Sequence, residues 1–286
     1  MPALKPSRLL NSELLKGVKL KIKRAKGHIA EFQALAEAHR DSNPYEIVHE
    51  LDPQTGENVY RVLVKKKVPD DAPAIIGDAI HNLRSALDYL VGDLARDNNE
   101  TPHQNYGLPV SKNPERLKPG TIHKLKGVST RAERLILRLK ACDTLHVGLW
   151  TLHWLDIIDK HNSIIIVAAA TITVNAKVGV PGMFLGPEGH VRLLGPGPDG
   201  VPFLMDAGTP VGFKRVFPLN DSVEIHRSPA GFQEEIEVII DIALGESEIP
   251  EGQPVLETLN KLVNLVERIV GIFERHVLKQ PAKSSE

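Results

Sequence analysis

Hydrophobic positions spaced three or four residues apart predict five helices in this chain. Between residues 11 and 40 the apolar positions of this spacing are Leu15, Val18, Ile22, Ala25, Ile29, Phe32 and Ala36, with Asn11 or Ser12 as the N-cap. A second helix is predicted over 69–97, capped by Asp70 or Asp71 and with Pro73 in its first turn, where a missing N–H costs little. Three more are predicted over 129–141, 146–162 and 255–278.

Two of these helices carry further signals. In the third, Thr130 and Glu133 have the spacing of a capping box. In the fifth, one face is apolar, formed by Leu256, Leu259, Val263, Val266, Val270 and Phe273. This face is expected to pack back on the earlier helices.

Alternating polar and apolar positions predict strands in the rest of the chain. Two alternating runs flank DPQTGEN and predict a β-hairpin at 45–68. After His161, β-rich runs separated by Gly and Pro turns indicate an antiparallel sheet or small sandwich. We therefore expect an α+β fold, a bundle of about five helices with a β-hairpin and an inserted antiparallel β unit. The predicted division is a helical region 1–170 that contains the hairpin, a β unit 171–249, and a returning helix 250–280.

Charge and composition restrict the function classes. The net charge is −1, so no overall basic field attracts nucleic acid, although residues 16–26 and 65–67 are locally basic. Cys142 is the single cysteine, which excludes an internal disulfide and a cysteine-based zinc site. The longest apolar run, SIIIVAAATITV, is too short to span a bilayer. We expect a cytoplasmic protein with no membrane partner.

The second helix carries three ionisable residues beside its apolar stripe. His81, Arg84 and Asp88 follow one another at spacings of three and four, so they lie close together on the helix surface. Their neighbours Ile80, Leu83 and Leu87 belong to the core face, and ionisable groups at a core edge are paired or used. One interpretation is structural, an Arg84–Asp88 pair that fixes helix packing, with His81 bonded to a backbone carbonyl. The other is a catalytic site.

A second ionisable cluster lies near the end of the fourth helix, in LHWLDIIDKHN. His153, Asp156 and Lys160 share one helix face by the same spacing. Asp159 is a candidate charge partner of Arg84 across a helix–helix contact. His161 is expected at the helix exit, where a cationic side chain favours the helix dipole.

Metal binding is the alternative use of these residues. His81 and Asp88 on one helix and His153 and Asp156 on the other would supply mixed nitrogen and oxygen ligands to a divalent metal. The sequence contains no HExxH motif, and neither cluster contains an ExxH motif.

The two clusters resemble a widespread bacterial family of hypothetical proteins. IGDAIHNLRSALDYL and LWTLHWLDIIDKHN are similar to that family's HNLRSALDHL and LxxLxxxDKHR motifs, and the resemblance extends over about residues 10–165. It implies no particular activity.

A further resemblance is to HEPN helical domains, many of which are metal-independent ribonucleases. In their motif an Arg is followed, after four to six intervening residues, by a His, on a helix paired across a homodimer. The resemblance implies that Arg84 stabilises phosphate charge while a histidine moves a proton. Tyr89 occupies the usual histidine position. Because the unperturbed pKa of tyrosine lies near 10, His81 is the candidate for proton transfer instead.

Three hypotheses result from these observations. In the first, the protein is a HEPN-like hydrolase or binding protein directed at RNA or a nucleotide. It requires no cofactor, and His81, Arg84, Asp88, Asp159 and His161 are its candidate catalytic residues. Lys160, Asn82 and Tyr89 are its candidate substrate-binding residues. In the second, a small-molecule hydrolase, with or without a metal, has its pocket between the second and fourth helices. In the third, a binding or scaffold protein uses the same residues structurally.

Overall fold

The structure is a computed structural model in which ten segments of the chain are described. These are residues 13–113, 122–140, 143–176, 183–185, 191–196, 202–206, 211–218, 222–229, 234–246 and 252–278. The predicted caps Asn11 and Ser12 lie outside them, as does Cys142.

Five α-helices occupy the described segments, as the periodicity predicts. They are α1 (Lys16–Asp41), α2 (Ala72–Asp97), α3 (Thr130–Lys140), α4 (Asp143–His161) and α5 (Val255–Phe273). A short 3₁₀ turn, His123–Leu125, precedes α3, and a π-helical turn, Glu274–Leu278, continues α5. The predicted apolar positions of α1 are all buried, and those of α5 are buried except for the half-buried Leu256.

Nine strands in the described segments form three antiparallel sheets. The strands are β1 (Tyr45–Leu51), β2 (Asn58–Val64), β3 (Ile166–Ala176), β4 (Met183–Leu185), β5 (Val191–Pro196), β6 (Pro202–Asp206), β7 (Val211–Phe217), β8 (Val223–Ser228) and β9 (Glu234–Leu244). Their orders are β1-β2-β8, β7-β3-β9 and β4-β5-β6. The long pair β3–β9 runs in register from Ile166 opposite Leu244 to Ala176 opposite Glu234. The α+β class and the antiparallel pairing are confirmed.

The chain divides into two compact units. We call Met1–Ala34, Asp71–Ile164 and Leu256–Glu286 the helical unit, and Leu35–Asp70 with Ile165–Val255 the sheet unit. This division differs from the sequence-based one, which groups the hairpin with the helices. The hairpin strand β2 pairs with β8, Asn58 opposite Ser228, so the hairpin belongs to the sheet unit. The returning helix α5 belongs to the helical unit, where Lys19 and Lys26 of α1 form ion pairs with Glu274 and Glu267.

Helix starts differ in detail from the predicted caps. Asp71 precedes α2 without a side-chain cap hydrogen bond, while Pro73 lies in the first turn as expected. For α3, the Ser129 hydroxyl accepts a hydrogen bond from the Ala132 N–H at 3.3 Å. Ser129 is therefore the capping residue, and the capping box predicted one position later at Thr130 is wrong.

Among the helices that the structure describes, none is both long enough and apolar enough to cross a bilayer.

Candidate functional site

The site is built where α2 lies directly against α4, within the helical unit. Gly77 makes the close approach feasible, because a Cβ at this position would lie 1.8 Å from the Asp159 Oδ1 atom. Because Gly77 has no side chain, the polar edges of α2 and α4 can lie in close contact.

A buried carboxylate connects the two predicted clusters. Asp156 of α4 is 2% exposed, and its Oδ1 lies 3.1 Å from the Nδ1 atom of His81 on α2. Its Oδ2 accepts a hydrogen bond of 2.5 Å from the Lys160 ammonium, one turn further along α4. The side chain of His81 is 45% exposed. The imidazole is therefore held in place by the buried Asp156 carboxylate and is also accessible to solvent.

The carboxylate determines which nitrogen of a neutral His81 is the base. Because an ionised carboxylate only accepts hydrogen bonds, it favours the tautomer whose Nδ1–H donates to Asp156. The lone pair is then on Nε2, which lies 3.4 Å from the hydroxyl of Ser85. This arrangement presents a positioned proton acceptor at the surface of α2.

Sequence reasoning missed one neighbour of this imidazole and one contact of the adjacent Asn82. Ser85 lies one turn after His81, a spacing that the helical pattern could have revealed. Lys21 of α1 donates to the Asn82 side chain at 3.3 Å, and its ammonium lies 5.7 Å from the centre of the Tyr89 ring. No local pattern relates residue 21 to residue 82, so the second contact is a product of the tertiary fold.

Arg84 and Asp88 form a separate, more enclosed pair. The Arg84 side chain is 6% exposed, and it donates to Asp88 Oδ1 at 2.7 Å and to the Leu108 carbonyl at 2.8 Å. Asp88 also accepts from the Leu108 N–H at 2.8 Å. The guanidinium thus fastens the segment after α2 to the helix. The predicted pairing of Arg84 with Asp159 is wrong, because the guanidinium is bonded to Asp88 and Leu108 instead.

Asp159 and His161 have different surroundings from the His81–Asp156 pair. Burial, and secondarily the carboxylates of Asp156 and Asp78, raise the pKa of Asp159 above its usual range. His161 is exposed at the last position of α4, as predicted, and within the described residues its side chain forms no hydrogen bond or ion pair. Neither side chain is joined to His81 by a hydrogen bond in the described part of the chain.

Three ring nitrogens on α4 are buried without a hydrogen-bond partner among the described residues. They are Nδ1 of His153 and the indole nitrogens of Trp150 and Trp154. Burial, together with the nearby charge of Arg84, lowers the pKa of His153 to about 4. This histidine is therefore neutral at pH 7 and does not form an ion pair.

The predicted metal ligands are not brought together. His81 and Asp156 meet, but Asp88 is occupied by Arg84. Across the described residues, no group of three or more His, Cys, Asp or Glu side chains is placed to hold a metal ion.

Fold and site together define an α+β protein with an Asp-anchored histidine on the contact between two helices. No protein-family model, curated protein or solved structure matches the chain.

Proposed function

We propose that this protein is a hydrolase that acts on phosphodiesters of RNA or a nucleotide, with His81 as its general base. One observation carries the proposal, the half-exposed imidazole whose Nδ1 contacts the buried Asp156 carboxylate at 3.1 Å. A carboxylate in this position orients the ring and stabilises the imidazolium formed when Nε2 takes a proton. The HEPN resemblance supports the choice of RNA as substrate.

The proposed reaction is an internal transfer at the ribose. His81 Nε2 removes the proton of the 2′-hydroxyl, and the 2′-oxygen forms a bond to phosphorus. The bond from phosphorus to the 5′-oxygen breaks, and the departing oxygen takes a proton from water. The hydroxide left by that water takes the proton that His81 accepted, which restores the neutral imidazole. The products are a 2′,3′-cyclic phosphate and a free 5′-hydroxyl, so atoms and charge balance without a redox partner.

Two lysines supply positive charge for the phosphate. The Lys160 side chain is 49% exposed, and its ammonium donates to the Asp156 carboxylate, which His81 also contacts. Lys21 of α1 also lies beside α2, where it donates to the Asn82 side chain at 3.3 Å. Arg84, given this task by sequence reasoning, is enclosed by Asp88 and Leu108 and instead positions the segment that follows α2.

Cleavage of a synthetic single-stranded RNA in EDTA tests the proposal. Wild-type protein is expected to release fragments with 2′,3′-cyclic phosphate ends, and His81→Ala and Asp156→Asn are expected to lower the rate by about 10²- to 10⁴-fold. His28→Ala is the matched control, since His28 is a histidine on α1 whose ring contacts Glu31.

The substrate offers a second control. An RNA with a single 2′-deoxynucleotide at the cleaved position has no hydroxyl to deprotonate and should resist cleavage there. Absence of cleavage by the wild-type protein, or cleavage that persists at full rate in both His81→Ala and Asp156→Asn, would overturn the proposal.

A further inference from the structure

A groove lined by arginines lies in the helical unit, on residues that the His81 site does not use. Its volume is about 650 Å³, and its lining side chains are Thr130, Arg131, Arg134, Leu135, Arg138 and His276. The first five come from α3 and the last from the π-helical turn that continues α5. None of the six is acidic, and most of the surface that lines the groove is apolar.

The guanidinium groups of Arg134 and Arg138 are available to a ligand. Both residues are exposed, and neither side chain forms an ion pair or hydrogen bond within the described residues. The basic residues of α1 provide a contrast, because Lys16, Lys19 and Lys26 are each paired with a glutamate. Charge is therefore neutralised at these three positions of α1 but not at these two positions of α3.

Helical geometry places Arg134 and Arg138 on one side of the groove. Residues 134 and 138 are four apart, so their backbones are separated by about 6 Å along the helix axis. Because arginine side chains are flexible, the two guanidinium groups can approach each other to the distance between phosphate groups within one polyphosphate chain. Arginine forms forked hydrogen bonds with phosphate oxygens, which suits this pair to a multiply charged phosphate.

The size of the groove restricts the ligand further. Pockets for small molecules and cofactors have volumes of roughly 300–1,000 Å³. The groove lies inside that range. Leu135 adds an apolar side chain to the lining, against which a flat ring can pack.

The geometry points to a binding site for an organic polyphosphate of nucleotide size, held by Arg134 and Arg138 with His276 also in the lining. This site is independent of the proposed cleavage at His81, since it shares no residue with it. Its function is binding, and a binding measurement tests it whether or not the protein cleaves RNA.

Isothermal titration calorimetry with adenosine triphosphate, inorganic tripolyphosphate and adenosine tests the inference. The triphosphate is expected to bind, tripolyphosphate to bind more weakly, and adenosine alone not to bind. Affinity should fall as salt is raised, because the contacts are ionic. The double variant Arg134→Ala/Arg138→Ala should weaken triphosphate binding at least about tenfold, a loss that corresponds to about 1.4 kcal/mol.

A matched variant separates a specific site from bulk charge. Lys23→Ala/Arg24→Ala removes the same two charges from exposed positions of α1 and should leave the affinity unchanged. In the wild-type protein, hydrogen exchange should slow at 130–138 and 274–278 when the triphosphate is added, a readout that needs no variant. Lack of triphosphate binding, equal weakening by both double variants, or protection confined to other segments would each overturn the inference.

Discussion

At the scale of the residue, His153 is a histidine that burial keeps neutral. Its pKa falls from about 6.5 in the unfolded chain to about 4 in the folded protein. Between these values the unfolded state binds more protons than the folded state. The contribution of His153 to the free energy of unfolding is therefore complete above pH 6.5 and decreases as the pH falls toward 4. Acidification should therefore loosen the helical unit through this side chain.

Thermal melting across this window tests the role of His153. Wild-type protein should lose several degrees more of its melting temperature between pH 7 and pH 5 than His153→Gln, which cannot be protonated. His161→Gln serves as the control, since His161 is exposed on the same helix and should leave the wild-type pH dependence intact. Identical pH profiles for wild type and His153→Gln would contradict the prediction.

At the scale of the element, Gly77 determines how closely α2 and α4 approach. The methyl group of Gly77→Ala would collide with the Asp159 carboxylate, 1.8 Å from the position of the new Cβ. We expect a loss of about 1–3 kcal/mol in the free energy of unfolding, the usual cost of overpacking. Chemical denaturation measures it.

The same substitution elsewhere supplies the control. Gly27 lies inside α1, and no packed neighbour among the described residues comes within 4 Å of the position that an added methyl group would occupy. Gly27→Ala should stabilise the protein by up to about 1 kcal/mol, because alanine loses less backbone entropy in a helix. Equal effects at both glycines would show that the helices are not in tight contact at Gly77.

At the scale of the whole molecule, one arginine fastens the turn of the hairpin to the sheet unit, in addition to the pairing of β2 with β8. Arg227 of β8 donates to Asp52 at 2.8 Å, to Glu57 at 2.9 Å and to Glu224 at 3.0 Å. These hydrogen bonds lower the pKa values of Asp52 and Glu224. The turn of the hairpin is thus fastened to a strand that lies about 170 residues later in the sequence.

Removal of this arginine should loosen the hairpin selectively. In Arg227→Ala, amide exchange at 45–64 is expected to accelerate several-fold, while α2 and α4 keep their protection, because Arg227 and its three partners all belong to the sheet unit. Lys214→Ala removes an exposed cation from β7 and should leave the hairpin unchanged. Unchanged exchange at 45–64 in Arg227→Ala would contradict the assignment of the hairpin to this sheet.

Local patterns predicted the elements well, and the reason is physical. Apolar periodicity is a property of each segment by itself, so the stripe from Ile76 to Leu94 on α2 is buried as expected. The Arg84–Asp88 pair was also predictable, since its partners are one helical turn apart. The contact between His81 and Asp156 spans 75 residues, and the sequence predicted only that the two clusters would meet.

The sequence by itself determined the α+β class, the five helices and the two clusters of ionisable residues, because each depends on spacing within a segment. The tertiary structure alone decided that Asp156 anchors His81, that Arg84 turns inward to Leu108, and that the hairpin joins β8. Such choices depend on which surfaces meet and which charges are enclosed, and burial changes the free energy of a charged group far more than its local sequence does.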